Sequence, residues 1–258
     1  MKLDDFESVF RSSVKTPFHH APPNIESALL ITDVDNATTE TFLADVKRFL
    51  SSGHAQEIEW TTMTSEDFQE VAPVLDRVRR NPPSLVVCYR HLLGQGAKLP
   101  YSLGSTVDTL TQATDVPVLL LPRPDDEGIK LPEAANQVMV VTDHLTGDDQ
   151  LVNWAAHLCI DHGTLFLTHI EDEAVLGKYL DAIAKIPGLD FEVAQEKLPK
   201  KLLSMPTDYI ASTSEILAKE GIHEKVEAVV RLGDPVSDYE KLAYALSVEL
   251  RDRPLLLL

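Results

Sequence analysis

Apolar positions along the chain repeat with two periods. "SALLITD" around Ala28, "SLVVCY" around Val86, "VPVLLLP" from Val116 and "QVMVVTD" from Gln137 set apolar or β-favouring residues side by side. Runs that are apolar on both faces predict strands of a parallel sheet covered by helices. "EIEWTTM", "TLFLTHI" and "KVEAVVRLGDP" add further strands, and "PLLLL" a last one. The helical period fills the gaps. "NATTETFLADVKRFLSS" brings Phe42, Val46, Phe49 and Leu50 to one face. "SEDFQEVAPVLDRVRR" predicts a second helix with Ser65 as its N-cap, and "TVDTLTQAT" a third. The first half therefore reads β-α-β-α-β-α-β.

The pattern restarts after "RPDDEGIKLPEAAN", a polar stretch that reads as an interdomain linker. "QVMVVTD" is the next strand and "DDQLVNWAAHLCIDHG" a helix closed by Gly163. A helical region with proline breaks follows from about Glu173 to Gly221, and "SDYEKLAYALSVEL" is the last helix. "ALLITDVD" aligns with "VMVVTDHL", so half the chain repeats the other half. Leu3, Phe6, Val9, Phe10 and Val14 predict an amphipathic helix ahead of both repeats, ending at the Pro-rich spacer "TPFHHAPPN". The segments expected are residues 1–25 (helix and spacer), 26–122 (repeat 1), 123–136 (linker) and 137–258 (repeat 2).

Charge narrows the partners. The net charge is −18, and the acidity is spread over both halves. A nucleic-acid or anionic-membrane partner needs a concentrated basic face, so neither is expected. Asp4 and Asp5 stand where a signal peptide is basic and then apolar, and no apolar run is long enough to span a bilayer. A cytoplasmic protein is expected. Cys88 and Cys159 lie in apolar stretches and read as buried free thiols.

The candidate chemistry is sparse. "GQGAKLPYSLGS", Gly94 to Ser105, joins a strand to a helix, where α/β proteins often hold a phosphate. Gly104 and Ser105 begin that helix, and Arg90, His91 and Lys98 flank the loop. A bare turn and cap is the alternative reading. Asp33 and Asp143 end the first strand of each repeat, where an aspartate can cap the next helix. His157, His162 and His169 match no zinc spacing. No Ser/His/Asp set, nucleophile elbow or catalytic carboxylate pair stands out, so no catalytic residue and no metal site are assigned. Trp60 and Trp154 read as core or interface residues.

Taken in order, these stretches resemble the universal stress protein family in its tandem two-domain form. Thr32-Asp33 and Thr142-Asp143 are similar to the end of its first strand, "LFLTHIE" to its second, and "GIHEKVEAVVRLGDP" to its third with a Gly-Asp-Pro turn. "GQGAKLPYSLGSTVDTLTQATDVPVLLLP" is similar to its glycine loop, fourth helix and fifth strand. The resemblance implies flavodoxin-like, adenine nucleotide hydrolase-like repeats in three α/β/α layers. It implies ATP with Mg²⁺ at Thr32, Asp33, Gly94, Gly104, Ser105 and Thr106. It also implies a homodimer through the strand Val116–Pro122.

The departures are specific. The glycine expected at position 91 is His91, or Cys88 if the strand ends are aligned. Repeat 1 lacks the family's second strand and second helix, and repeat 2 stops in its fourth strand, so both are incomplete. The expected function is a binding or regulatory protein of the stress response with weak or lost ATP binding. Slow nucleotide hydrolysis and a non-nucleotide scaffold are the alternatives.

Overall fold

The structure, a computed structural model, describes residues 17–52, 57–94, 99, 102–124, 131–142, 144–249 and 255–257. The N-terminal helix expected before residue 16 lies outside them, as do Asp143 and Lys98. The protein is α/β, with two four-stranded parallel sheets and seven α-helices among the described residues. The chain divides into two compact units, Asn24–Ala134 and a unit joining Met1–Pro23 to Ala135–Leu258. Helices face the sheets in a manner consistent with three α/β/α layers. No helix among the described residues is long and apolar enough to cross a membrane.

In the Asn24–Ala134 unit the elements are β1 (Ser27–Ile31), α1 (Asn36–Ser51), β2 (Glu59–Met63), α2 (Val71–Arg80), β3 (Leu85–Cys88), α3 (Ser105–Ala113) and β4 (Val118–Leu120). The strand order is β2-β1-β3-β4, every pair parallel. Leu29, Leu30, Ile31, Val86, Val87 and Cys88 are all buried, so β1 and β3 are covered on both faces. The chain winds outward in one direction after β1 and in the other after β3. The carboxyl ends of β1 and β3 therefore flank a crevice, the place where open parallel sheets take ligands.

Two local starts differ from the sequence reading. Ser65 does not cap α2. Residues 64–67 close a separate turn, in which Asp67 accepts from Thr64 N–H at 2.8 Å, and the buried Phe68 pins the approach to the helix. The helix begins at Val71, which puts Pro73 in its first turn, where an N–H is not needed. The cap of α1 is Asp35, whose carboxylate accepts from Thr38 N–H at 3.0 Å and from the Thr38 hydroxyl at 2.7 Å. Those bonds hold the Asp35 carboxyl below its ordinary range. Asp33 is thereby released from capping.

In the second unit β5 (Ala135–Val141), α4 (Asp149–Leu158), β6 (Cys159–Asp172), α5 (Glu173–Ala184), α6 (Phe191–Lys219), β7 (Lys225–Gly233), α7 (Pro235–Glu249) and β8 (Leu255–Leu257) give the order β7-β6-β5-β8, again all parallel. Gly163 does not close α4. The helix ends at Leu158 and the chain enters β6, with Cys159 opposite Ala135 and Thr164 opposite Gln137, so four residues bulge against one. A Cβ on Gly163 would stand 2.6 Å from Cys159 Sγ and 2.9 Å from the Asn136 carbonyl, so the bulge needs a glycine. The prolines do not break α6 either, which runs 29 residues through Pro199 and Pro206. Ser204 Oγ donates to the Lys201 carbonyl and Thr207 Oγ1 to the Leu203 carbonyl near the interruption.

The "spacer" is a strap on this second unit. Phe18 is buried and stands edge-on to Tyr209, with centroids 6.2 Å apart. Asn153 reads the strap's backbone, donating to the His19 carbonyl at 2.9 Å and accepting from Ala21 N–H at 2.9 Å. Asp149 accepts from His19 N–H at 3.2 Å and from the Tyr209 hydroxyl at 2.6 Å. An aromatic side chain and a row of backbone amides needed burial and partners, and α4 and α6 supply both.

Candidate functional site

The crevice between β1 and β3 is built around Asp33. β1 delivers Thr32 and Asp33 at its carboxyl end, and β3 delivers Tyr89. The Tyr89 hydroxyl donates to Asp33 Oδ1 at 2.5 Å and accepts from Asp33 N–H at 2.8 Å. Its one proton is thus spent, so Thr32 Oγ1 donates to it at 2.9 Å. Leu93 N–H donates to Asp33 Oδ2 at 2.6 Å. Arg123, just past β4, puts its guanidinium 2.8 Å from Asp33 Oδ1 and 4.8 Å from the centroid of the Tyr89 ring. The Asp33 side chain is 8% exposed and that of Arg123 26%. Both carboxylate oxygens are in use and the charge is matched within the chain. Burial, and then the Asp33 carboxylate that takes its proton in a hydrogen bond, push the Tyr89 phenol up to about 12.

The glycine loop closes beside this group. His91, Leu93 and Gly94 have φ of 59°, 57° and 70°. Position 91, where the resemblance implies a glycine, thus holds a histidine in the left-handed backbone region. A non-glycine residue there costs about 1–2 kcal/mol. Local bonds offset that cost. His91 N–H donates to the Leu103 carbonyl at 3.0 Å, and its ring donates from Nε2 to the Ser102 carbonyl at 2.7 Å. The Arg90 guanidinium donates to the same carbonyl at 3.0 Å. Leu92 is buried between them in sequence. The two limbs of the loop, 90–94 and 102–104, are zipped together by Arg90 and His91, two of the residues expected to flank a phosphate.

Gly104, at φ 91°, is the N-cap of α3 and supplies no side chain to it. Ser105 is exposed and Thr106 buried in the first turn. Of the six positions implied for nucleotide, Thr32 and Asp33 belong to the Tyr89–Arg123 group and Gly94 to the loop bonded to it through Leu93. Gly104, Ser105 and Thr106 form the start of α3 at the loop's other limb. Tyr89 could be found from the sequence as the residue ending an apolar strand. Arg123 could not, because it sits at the edge of a polar stretch that reads as linker.

The corresponding end of the second sheet is arranged differently. Tyr239 of α7 donates to the Thr142 carbonyl at 3.2 Å and accepts from Ile170 N–H at 3.1 Å. The three histidines considered for metal stand apart. His157 lies edge-on to Trp154, His162 stacks on His223 with centroids 5.7 Å apart, and His169 is buried with Nε2 3.2 Å from Glu171. Among the described residues no three His, Cys, Asp or Glu side chains gather as metal ligands. Cys88 and Cys159 are buried free thiols, each pushed up to about 12, chiefly by burial. No family model, no curated protein and no solved structure matches the chain.

Proposed function

We propose that the chain is a universal stress protein-like binding or regulatory protein without turnover, whose nucleotide site in the first unit has been closed from within. The observation that carries the reading is the Asp33–Arg123 ion pair at the sheet crevice, completed by Tyr89 and Leu93. A Mg²⁺ ion bound to Asp33 would have to displace the guanidinium and would meet a carboxylate already holding three partners. The phosphate end is weakened as well, since Arg90 and His91 are spent on the Ser102 carbonyl. Hydrolysis of ATP would need the same Mg²⁺ carboxylate and is the poorer reading.

Strand order supports the relation between the repeats. Numbered within its unit, the second sheet runs 3-2-1-4 and the first 2-1-3-4. The first is the flavodoxin-like order without its last strand. It is also what remains of a 3-2-1-4-5 order once the second strand is deleted, the deletion that the resemblance implies for repeat 1. One parent unit, duplicated and trimmed differently, accounts for both sheets.

The test is native mass spectrometry of the protein after mild purification. The expected mass is that of the polypeptide alone, as one chain or a whole multiple of it; a stoichiometric adenine nucleotide carried through purification contradicts the reading. A scaffold role is favoured by a separate observation, the exposed hairpin of α5 and α6.

A further inference from the structure

We infer that the helical hairpin of α5 and α6 is a self-docking surface, on which a second copy of this chain packs its own hairpin. From Glu173 to Met205 only Leu176 and Ala194 are buried. The other buried residues of α6 all lie further on, at Pro206, Tyr209, Ile210, Thr213 and Leu217, where the helix packs on β6 and β7. The first half of α6 thus has α5 for company and little else. Four of the seven exposed large apolar side chains among the described residues lie on this hairpin: Tyr179, Ile186, Phe191 and Met205. Tyr179 and Ile186 are half exposed, at 52% and 50%. Two helices alone cannot enclose a core, whereas two such hairpins make a four-helix packing that can.

Charge selects the occupant. A two-fold contact sets a patch against its own copy, so a patch of one sign repels itself. The chain carries −18, yet residues 173–205 hold five lysines and five acidic residues, a net of zero. The signs also separate along α6. Asp190, Glu192 and Glu196 precede Lys197, Lys200 and Lys201. Two α6 helices running antiparallel about an axis near residues 196 and 197 lay the acidic stretch of each along the basic stretch of the other. An acidic or a basic partner would find half of this surface opposed.

The competing self-docking edge is β4. It is three residues long and lies between Pro117 and Pro122, which limits the ladder a second strand can make on it. The hairpin offers apolar area instead of backbone bonds, and the two interfaces are separable by mutation.

Two measurements test the inference on the full chain. Light scattering at tens of micromolar should give a dimer for the wild type and a monomer for Tyr179→Lys/Phe191→Lys with unchanged circular dichroism. Gln195→Cys, at an exposed position near the proposed axis, should form a disulfide-linked dimer on mild oxidation, with the buried native cysteines silent. A monomeric wild type overturns the inference, and so does a dimer that survives the double lysine variant. If that variant fails to fold, the cysteine variant decides alone: no cross-linked dimer overturns it.

Discussion

Arg123 holds its guanidinium 2.8 Å from the carboxylate of Asp33, a side chain only 8% exposed. Breaking a buried pair from one side leaves the other charge uncompensated, at a cost of about 3–5 kcal/mol. Arg123 keeps some solvent contact, so Arg123→Gln should fall near the lower figure. Asp33→Asn should cost a comparable amount. Because each change already removes the pair, the double variant should cost less than the sum by about 1–3 kcal/mol. Denaturant unfolding of the four proteins checks this, and strict additivity would show that the pair is not coupled.

Tyr89 gives the crevice a spectroscopic handle. Its phenol is raised to about 12 from an ordinary 10.0, first by burial and then by the hydrogen bond to Asp33. A group raised in the folded state contributes its stability below the unfolded value and loses it as pH climbs through the folded one. The contribution of Tyr89 is therefore whole below about pH 10 and disappears toward pH 12. Following the phenolate absorbance, we expect a late-titrating step among the six tyrosines, and Tyr89→Phe should shrink it. Tyr209, raised by burial and by Asp149, keeps the remainder. All tyrosines ionising together near pH 10 while the protein stays folded would contradict the closed crevice.

Much of the fold was legible from periodicity, because strands buried on both faces write uninterrupted apolar runs. Thr32 and Asp33 at a strand end, and Gly104 at a helix start, were legible for the same reason. What escaped notice was decided by contacts distant in sequence. Arg123 reads as linker until β4 brings it beside β1. Phe18 reads as spacer until α4 and α6 receive it. Gly163 reads as a helix stop, since nothing local distinguishes a C-cap glycine from one required by a crowded bulge. Pro199 and Pro206 read as breaks, yet α6 passes through both, packed on the body only beyond the second.

The strap makes the second unit depend on residues from the start of the chain. Phe18→Ala removes a buried aromatic and should destabilise that unit by about 3 kcal/mol, typical of a large-to-small core change. Asn153→Ala strips two partners from the strap's backbone and should cost about 1–3 kcal/mol. Chemical denaturation reads both, and losses below about 0.5 kcal/mol would mean that the strap is merely resting on the surface.

The two cysteines should be inert. A thiol pushed to about 12 by burial holds almost no thiolate at neutral pH. A disulfide exchange reagent should label neither Cys88 nor Cys159 in the native protein and both after unfolding. Rapid labelling of either one under native conditions would place it at an accessible opening instead.

The proposed closure of a nucleotide site is tested most directly by titrating Mg-ATP into the protein in a calorimeter. The start of α3 by itself contributes about 0.3–1 kcal/mol toward an anion, while 1 mM affinity needs about 4 kcal/mol. With Asp33 committed to Arg123, the carboxylate expected to hold Mg²⁺ is not free to supply the difference. Undetectable heat is expected, or a Kd of about a millimolar or weaker. Micromolar binding that is lost in Gly104→Val, where a side chain meets a φ of 91°, would contradict it.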